Sequence, residues 1–343
     1  MVLNISYSRI YEEFKDRVKV SDEVRKISEK YRFLPYMIAR YVDMLGESET
    51  IELLESFDKK DLYKPAIVCN PMRIECSELV NRLVDQGFGL EKILWSSYAY
   101  RVIRSPRSPT LGSTHEFMKG YYYIYRDPAS LIPPLLIEPR EDEDILDCCA
   151  APGGKSIYMI ILKKDRGLVI SNDISRERLK ALRFNLDRLG LRSYVITRFD
   201  ARKTHEIFRE ELKKILVDAP CSAEGAIMFD RSRRYRTDYE TLAKLVSREI
   251  EILSSSIEAL APGGVIVYAT CSIAPEENEY VVSKILEHYD KQVEVVSPVF
   301  NMWSRGLRGF LGLEFSPEVE KCVRVWPHRH SMEGYFICVL RRK

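Results

Sequence analysis

The chain has 343 residues, 45% of them hydrophobic and 30% charged, and this length predicts more than one domain because single hydrophobic cores stop growing at about 250–300 residues. None of its apolar runs approaches the roughly 20 residues that a membrane-spanning helix requires. A formal net charge of only +2 excludes an overall basic field that would attract nucleic acid, so any basic contact surface has to be local.

The hydrophobic pattern of residues 1–64 predicts a helical N-terminal segment. We assign no catalytic or binding role to it. Ile10, Phe14 and Val18 recur at helical spacing, and Ser21 is expected to cap the next helix. The opening residues become charged too early for a secretory signal, which predicts a cytoplasmic protein.

The chain contains eight cysteines, and no two of them form a Cys-x-x-Cys pair. We therefore expect neither a disulfide framework nor a zinc site or other metal site. The eight are Cys69, Cys76, Cys148, Cys149, Cys221, Cys271, Cys322 and Cys338.

Residues 65–122 predict a small α+β module that binds RNA. AIVCNPMRIE resembles a strand, CSELVNRLVDQGFGL a helix, and the aromatic stretch that follows further strands. Cations alternate with aromatic rings there, as on surfaces that neutralise phosphates and stack bases. The alternative is that these rings are half-buried strand residues with solvated arginines between them. The residues concerned are Lys92, Trp95, Tyr98, Tyr100, Arg101, Arg104, Arg107, Phe117, Lys119, Tyr121, Tyr122, Tyr123, Tyr125 and Arg126.

After Leu136 the pattern changes to apolar strands that alternate with helices, which predicts a mostly parallel sheet covered on both faces. Ligands of such sheets bind at the carboxyl ends of the strands. Polar groups or cysteines follow five of these strands: Asp147-Cys148-Cys149, Asp173, Asp200, Asp218 and Cys271. We expect these groups to converge on one edge of the sheet.

The segment DCCAAPGGKS forms a turn of small residues between a strand and a helix. It is not a complete triphosphate loop, because that motif needs glycine where Cys149 stands, and it is not a dinucleotide fingerprint, because no GxGxxG follows the strand. What remains is a place where the backbone and a helix N-terminus can approach a ligand closely.

Two acids downstream complete the predicted ligand site. Asp173 follows Gly154 by about 20 residues, the spacing at which an acid meets a ribose, and Asp200 is placed to reach an adenine. A nucleoside with a cationic tail fits better than NAD, which predicts S-adenosylmethionine. For each acid taken alone, a solvated strand end or a helix cap is the alternative. The predicted cofactor-binding residues are Cys149, Ala150, Ala151, Pro152, Gly153, Gly154, Lys155, Asp173, Arg178, Asp200 and Asp218.

Three segments resemble known motifs of one family. DCCAAPGGK, VDAPCSAEG and YATCSIAPEENE are similar to the nucleotide-binding, Pro-Cys and Thr-Cys motifs of the NOL1/NOP2/Sun family of RNA cytosine-C5 methyltransferases, archaeal-type members included. GYYYIYRDPASLIPPLLIEPREDEDILD resembles the segment that precedes them in the family, and WPHRHSMEGYFICVL resembles the family's C-terminal close. The similarity is dense from Gly120 to Leu340.

The resemblance implies a Rossmann-like, S-adenosylmethionine-dependent methyltransferase domain over residues 123–343. The ferredoxin/RRM-like α+β module and the helical segment would precede it. It also implies an RNA partner, and the compact size favours transfer RNA over ribosomal RNA. We expect no membrane partner and take a monomer as the default.

The resemblance also assigns catalytic roles. Cys271 would add to C6 of cytosine, helped by the N-terminus of a helix that begins near Pro275. Asp218 would hold N3 and N4 of the base, with a protonated carboxyl as donor. Cys221 would assist loss of the C5 proton and product release, and Lys155 would orient Asp218 or the base.

Two alternatives remain open at this point. DNA cytosine-C5 methyltransferases use the cysteine of Pro-Cys as the nucleophile, which here would be Cys221. A noncatalytic RNA-binding or assembly factor that keeps the fold is the other alternative. The chain departs from the family pattern at Arg126, where glutamine is usual, at Cys69, and at Ala223-Glu224 in the turn after Pro-Cys.

Overall fold

A computed structural model of the chain describes residues 2–298 and 302–343. The helices of this part are α1 (Tyr7–Lys15), α2 (Asp22–Tyr31), α3 (Pro35–Ser56), α4 (Cys76–Asp85), α5 (His115–Met118), α6 (Ile132–Leu136), α7 (Gly154–Leu162), α8 (Arg176–Leu189), α9 (Thr204–Ile207), α10 (Arg233–Arg236), α11 (Tyr239–Ala259), α12 (Glu279–Tyr289) and α13 (Pro327–His330). The strands are β1 (Ala66–Cys69), β2 (Gly89–Lys92), β3 (Ala99–Arg104), β4 (Tyr122–Tyr125), β5 (Ile145–Asp147), β6 (Val169–Asn172), β7 (Tyr194–Thr197), β8 (Leu212–Asp218), β9 (Leu260–Thr270), β10 (Val293–Val296), β11 (Ser304–Arg305), β12 (Gly309–Phe310), β13 (Leu313–Glu314), β14 (Val323–Val325) and β15 (Tyr335–Arg342).

The large sheet has the order β11-β14-β15-β9-β8-β5-β6-β7, with β10 also paired to β15. Strands β5 to β9 pair in parallel with one another, and β15 runs antiparallel to β9. Strand order reverses at β5, because β6 lies on one side of it and β8 on the other, and ligands of such sheets bind at this reversal. The predicted alternation of strands and helices over the C-terminal part is therefore present.

Both faces of this sheet are covered, and the residues of β8 show how. Ile215 and Val217 pack into a core with α1, α11 and α12, whereas Leu216 packs into the core formed with α6, α7 and α8. A strand buried on both faces explains why three consecutive residues, Ile215 to Val217, are apolar without alternation. The polar side chains considered below, Asp147, Asp173 and Asp218, lie at the carboxyl ends of these strands.

A second sheet, of order β2-β3-β1-β4, lies in the N-terminal half with α4 packed on it. The aromatic rings between Trp95 and Tyr125 are packed, as expected if they are half-buried strand residues and not a base-stacking platform. Tyr122 and Tyr125 are buried, and the other rings of this stretch are half-buried. Lys92, Arg104 and Arg107 are exposed and available to phosphates. The structure thus shows exposed cations around packed rings and not a platform of exposed rings.

The N-terminal helices pack against the C-terminal half of the chain. The side chain of Ser21 accepts a hydrogen bond from the backbone N–H of Val24, 3.2 Å away, so the predicted cap is present. Residues of α2 and α3 share a core with Ile227, Ile273 and Trp326, which belong to the loops after β8, β9 and β14. The segment is therefore part of the scaffold behind those loops.

The prediction of no disulfide was wrong. Cys69 at the end of β1 is bonded to Cys76 at the start of α4, and Cys322 is bonded to Cys338. The second pair could not be seen in the spacing, because the register of β14 on β15 brings its partners together across the sheet. Intracellular proteins of hyperthermophiles carry disulfides, so these bonds do not decide the compartment.

Membrane-spanning helices and metal-binding clusters are both absent from the described residues. None of their helices combines the length and apolarity needed to cross a bilayer. Residues 2–298 and 302–343 also contain no group of three or more His, Cys, Asp or Glu side chains arranged to hold a metal ion.

Candidate active site

Two thiols face each other at the carboxyl edge of the sheet. Cys221 follows the end of β8 and Cys271 follows the end of β9, and their sulfur atoms are 3.5 Å apart. The hydrogen bond to Cys271, together with burial, raises the pKa of Cys221 well above its usual value. Cys221 therefore keeps its proton at neutral pH and can donate it to the other sulfur.

Glycines allow the three motif loops to approach this closely. The N–H of Gly225 donates to the carbonyl of Cys271 at 3.0 Å, and the N–H of Gly334 donates to the carbonyl of Gly225 at 2.8 Å. A Cβ on Gly225 would lie 2.1 Å from the carbonyl oxygen of Gly334. Any larger residue would push the Pro-Cys, Thr-Cys and C-terminal loops apart.

A cavity of about 360 Å³, which we call the lysine cavity, opens beside Lys155. The Nζ of Lys155 donates to Oδ2 of Asp218 at 2.7 Å and to the hydroxyl of Tyr335 at 2.9 Å. Burial, the largest single effect, lowers the pKa of Lys155, but the charge of Asp218, its hydrogen bond with Lys155 and the nearby Cys271 and Glu333 together outweigh burial, and the net pKa is raised. The lysine is thus an ammonium held against a carboxylate. The cavity is lined by Tyr123, Ile124, Tyr125, Arg126, Ser130, Ala150, Ala151, Pro152, Gly154, Lys155, Asp218, Glu333 and Tyr335.

Arg126 and Glu333 form an ion pair on the wall of the lysine cavity. The guanidinium of Arg126 is 2.7 Å from the carboxylate of Glu333, and the side chain of Arg126 is 55% exposed whereas that of Glu333 is 3% exposed. Arg126 also lies 4.5 Å above the ring of Phe229. Solvent can therefore reach Arg126 while Glu333 is covered.

A second cavity, of about 350 Å³, lies beside Asp173, and we call it the aspartate cavity. The Oδ1 atom of Asp173 accepts a hydrogen bond from Ser175 N at 2.9 Å. Its buried Oδ2 atom accepts no hydrogen bond and makes only an ion pair with Arg178 at 3.2 Å. A buried acceptor without a donor suits a hydroxyl of a ligand, as the ribose prediction requires. The cavity is lined by Cys148, Cys149, Asn172, Asp173, Ile174, Arg178, Phe199, Asp200, Ala201, Arg202, Pro220, Arg248 and Ile252.

Asp200 and Arg178 take part in local contacts as well. Asp200 accepts hydrogen bonds from the backbone N–H of Arg202 at 3.0 Å and from its guanidinium. Arg178 donates to the carbonyl of Ala151 as well as pairing with Asp173. The capping alternative therefore holds for Asp200, while Arg178 joins the small-residue turn to the next strand end.

The small-residue turn separates the two cavities. Helix α7 begins at Gly154, and the hydroxyl of Tyr125 donates to the carbonyl of Gly154 at 2.5 Å. Cys149 lines the aspartate cavity, whereas Ala150 to Pro152, Gly154, Lys155 and Asp218 line the lysine cavity. Gly153, with a positive φ of 114°, turns the chain and lines neither cavity. The predicted cofactor set is thus divided between two spaces.

A buried acid lies behind the cysteines. Glu277 accepts hydrogen bonds from the N–H and the hydroxyl of Ser222, both at 2.6 Å. Burial, helped by the charge of Glu224, raises the pKa of Glu277 to about 7. The prediction of a helix from Pro275 was wrong, because Glu277 and its neighbours form a turn and α12 begins only at Glu279. The helix N-terminus is therefore eight residues beyond Cys271.

Known proteins are similar to this chain over most of its length. The family described as 16S rRNA methyltransferase RsmB/F matches residues 134–341. The chain belongs to this family. Methyltransferases of this Sun-type family use S-adenosylmethionine, and the resemblance to NOL1/NOP2/Sun proteins inferred from the motifs is confirmed.

The RsmB/F relatives include larger proteins. The human 28S rRNA (cytosine(4447)-C(5))-methyltransferase is 30% identical over 338 residues, which is 96% of this chain and 40% of that protein. The 25S rRNA (cytosine-C(5))-methyltransferase nop2 of Schizosaccharomyces pombe is 30% identical over 99% of this chain and 56% of its own length. The chain thus spans about half the length of these curated relatives.

A solved structure of similar sequence agrees with the fold. The methyltransferase homolog protein from Pyrococcus horikoshii superposes with a TM-score of 0.83 at 29% identity, covering 94% of this chain and all of that one. The Rossmann-like methyltransferase fold predicted from the sequence is therefore confirmed.

Several residues of the site were not predicted from the sequence. Tyr335 and Glu333 lie in the C-terminal motif MEGYF, but nothing in that motif indicates that they contact Lys155 and Arg126. Glu277 lies within the quoted APEENE, and a run of acids normally indicates a solvated surface. Their burial was the signal needed, and it depends on the tertiary structure.

Proposed function

We propose that the chain transfers a methyl group from S-adenosylmethionine to C5 of a cytosine in RNA, through a covalent bond between Cys271 and C6. The observation that carries this proposal is the meeting of two thiols, 3.5 Å apart, at the strand end that also presents the Lys155–Asp218 pair. The geometry supports the assignment from the motifs, in which Cys271 attacks and Cys221 assists.

Cys271 and Cys221 act at different steps of the proposed reaction. The Cys271 sulfur adds to C6, which moves the electron pair of the C5–C6 double bond into the ring and makes C5 nucleophilic. The cofactor supplies the electrophilic methyl group, to which C5 bonds as the methyl–sulfur bond breaks. Loss of the C5 proton to a base then re-forms the double bond and expels the Cys271 thiolate. Cys221, within hydrogen-bond reach of that sulfur, is placed to assist this release.

The Lys155–Asp218 pair revises one detail of the proposal. One carboxyl oxygen of Asp218 accepts a hydrogen bond from Nζ of Lys155 at 2.7 Å, whereas the sequence-based expectation was a carboxyl that donates to the base. In this proposal the carboxylate accepts a hydrogen bond from the N4 amino group of cytosine. The ammonium of Lys155 then provides the positive charge that stabilises the electron-rich ring.

The cofactor would occupy the aspartate cavity. The spare buried acceptor of Asp173 fits a ribose hydroxyl, and Phe199, Ile174 and Pro220 offer apolar walls for an adenine. Asp200 lies on the same wall, where it caps its own turn. These residues bind and orient the cofactor, while Arg178 supports the wall they form.

The RNA species remains a prediction. The human and fission yeast relatives are named as ribosomal RNA methyltransferases, which supports ribosomal RNA as the first substrate class to test. Transfer RNA, expected from the compact size of the chain, is the second. The exposed Lys92, Arg104 and Arg107 suit either RNA, because they can only bind its phosphates.

The experiment compares Cys271→Ala with Cys221→Ala, each the control of the other. Purified protein is incubated with labelled S-adenosylmethionine and either ribosomal or transfer RNA, and methyl incorporation and covalent protein–RNA adducts are measured. Cys271→Ala is expected to abolish both, whereas Cys221→Ala accumulates the adduct. The reverse pattern would assign the nucleophile to Cys221. A wild-type protein that binds RNA but transfers no methyl to either would support the noncatalytic assembly factor.

A further inference from the structure

One arginine from the N-terminal segment is buried between the two cysteine loops. Arg40, on α3, is completely buried. Its Nε and one terminal nitrogen donate to the two carboxylate oxygens of Glu276 at 2.7 and 2.6 Å. Its other terminal nitrogen donates to the two oxygens of Glu224 at 3.0 and 3.2 Å. A single guanidinium therefore binds two carboxylates.

The two acids belong to the loops that carry the cysteines. Glu224 follows Cys221 by three residues and is 1% exposed, and Glu276 follows Cys271 by five residues and is also 1% exposed. Arg40 thus reaches from a helix more than 180 residues away in the chain to both loops at once. Loops held by a shared cation cannot move apart without breaking a buried ion pair.

Neighbouring hydroxyls complete the network. Tyr41 donates to Glu224 at 3.1 Å, and Tyr239 donates to Glu276 at 2.8 Å. The pKa of Arg40 is raised, because the charges of Glu224 and Glu276 outweigh the effect of burial. The cluster therefore contains one fixed cation between two acids, with each acid bound by a second donor.

Stability alone is a poor reason for this arrangement. Replacing a buried ion pair or triad with apolar side chains of similar volume is often neutral or stabilising, because desolvation offsets the attraction. What a planar, five-donor guanidinium adds is fixed geometry between two carboxylates. The geometry fixed here is the spacing of the loops that bear the thiols.

We propose that Arg40 is a positioning residue that holds the Cys221 loop against the Cys271 loop through Glu224 and Glu276. The inference rests on the proposed function, in which both sulfurs act on one cytosine. It also gives the N-terminal segment a role in the reaction, through the loops that carry the two thiols. The departure at Glu224 from the usual family turn supplies the second carboxylate.

The first test measures the spacing of the thiols without RNA or cofactor. A mild oxidant such as diamide is added, and the Cys221–Cys271 disulfide is quantified by mass spectrometry of the linked peptides. Arg40→Lys, whose ammonium cannot bind both carboxylates in the same geometry, is expected to slow this bond at least about tenfold. Glu224→Gln, which keeps the side-chain volume and one acceptor oxygen, is expected to slow disulfide formation less than Arg40→Lys does. This variant also provides the test if Arg40→Lys fails to fold.

Lys214→Met is the matched control. Lys214 forms a mostly buried ion pair with Glu143 at 2.7 Å, near the start of β8 and far from its carboxyl end. Its loss should lower stability without changing the thiol spacing. Cross-linking in Lys214→Met is therefore expected at the wild-type rate.

The second test follows the reaction. Arg40→Lys is expected to lower kcat by about 100-fold, the cost of roughly 1 Å of misplacement, with an unchanged KM for S-adenosylmethionine and with accumulation of the protein–RNA adduct. Wild-type rates of both cross-linking and release in Arg40→Lys and Glu224→Gln would overturn the inference. Normal cross-linking in the wild type, together with no methyl transfer by the wild type and no RNA adduct in Cys221→Ala, would instead overturn the proposed function.

Discussion

The lysine cavity and the aspartate cavity lie at the same edge of the sheet but are held together differently. In the aspartate cavity, Asp173 and Asp200 each accept a hydrogen bond from a backbone N–H two residues further along the chain. In the lysine cavity, Lys155 bonds to Asp218 and Tyr335, which are 63 and 180 residues away in the chain. The first cavity is built mainly from local turns and the second from distant loops.

This difference has a consequence for mutations. An acid held by its own turn can be changed with little effect on the other side of the cavity. Groups that meet across several loops depend on one another, so that removing one leaves the others with unpaired buried charge. We therefore expect changes in the lysine cavity to affect catalysis strongly and changes in the aspartate cavity to affect mainly cofactor affinity.

Lys155→Met is the strongest challenge to this comparison. It removes the ammonium from Asp218 and Tyr335, and the loss of a charge-stabilising group is expected to lower kcat by about 10³-fold. The Kd for S-adenosylmethionine, measured by calorimetry, should stay within a few-fold of wild type. Tyr335→Phe, which removes only one acceptor of Lys155, is the milder control. A large loss of cofactor affinity in Lys155→Met would show that the two cavities are not separate.

Glu277→Gln tests whether the raised pKa of Glu277, the buried acid behind the cysteine loops, makes stability depend on pH. The native pKa of Glu277 is raised from 4.5 to about 7, so between these pH values the folded chain holds a proton that the unfolded chain releases. Its contribution to stability is complete below pH 4.5 and is lost as the pH rises to about 7, up to about 3 kcal/mol. Urea unfolding at pH 5 and pH 8 should show a smaller decrease for Glu277→Gln than for wild type.

Other buried carboxyls with raised pKa values also contribute to the wild-type decrease and serve as an internal reference. Asp147 has a pKa of about 7, raised by burial, and titrates in the same direction. Its contribution stays in the Glu277→Gln variant. Equal pH dependence in the two proteins would mean that Glu277 is ionised throughout and that its burial is compensated by Ser222.

The local contacts of the aspartate cavity were predictable from the sequence, whereas the contacts between distant loops in the lysine cavity were not. Asp173, Asp200 and the turn after β5 were predicted because each follows a strand end, and the carboxyl ends of parallel strands must meet at one edge. Lys155 and Asp218 were predicted by motif, but their contact with Tyr335 depends on β15 lying antiparallel beside β9. Pairing across a sheet leaves no mark in local spacing.

Arg40 and the disulfides show the same limit. Arg40 lies in a helical pattern with other charges nearby, and such an arginine is normally solvated. Only the packing of α3 on the loops after β8 and β9 reveals that it is buried. Cys322 and Cys338 likewise become partners through strand register. Residues whose role depends on tertiary contacts were thus the ones missed.

Asp173→Asn should affect the aspartate cavity alone. The amide keeps an oxygen to accept from Ser175, but it loses the charge that a ribose hydroxyl would meet. We expect the Kd for S-adenosylmethionine to rise about tenfold to a hundredfold, the value of one hydrogen bond to a charged group. At saturating cofactor kcat should be nearly unchanged, and the covalent adduct with RNA should still form. A loss of adduct would contradict the assignment of Asp173 to the cofactor.

Arg126→Gln is expected to have the smallest effect, because it changes the solvent-exposed partner of a pair on the wall of the lysine cavity. Glutamine, the usual residue of the family here, can still donate to Glu333, so the fold and kcat should be retained. If Arg126 also binds a phosphate beside the target cytosine, the KM for RNA rises a few-fold and the dependence of binding on salt decreases by about one ion. Titrations at several salt concentrations measure both, and Lys291→Gln, which removes an exposed cation outside the predicted RNA-binding module, is the matched control. An unchanged salt dependence in Arg126→Gln would limit Arg126 to its contacts with Glu333 and Phe229.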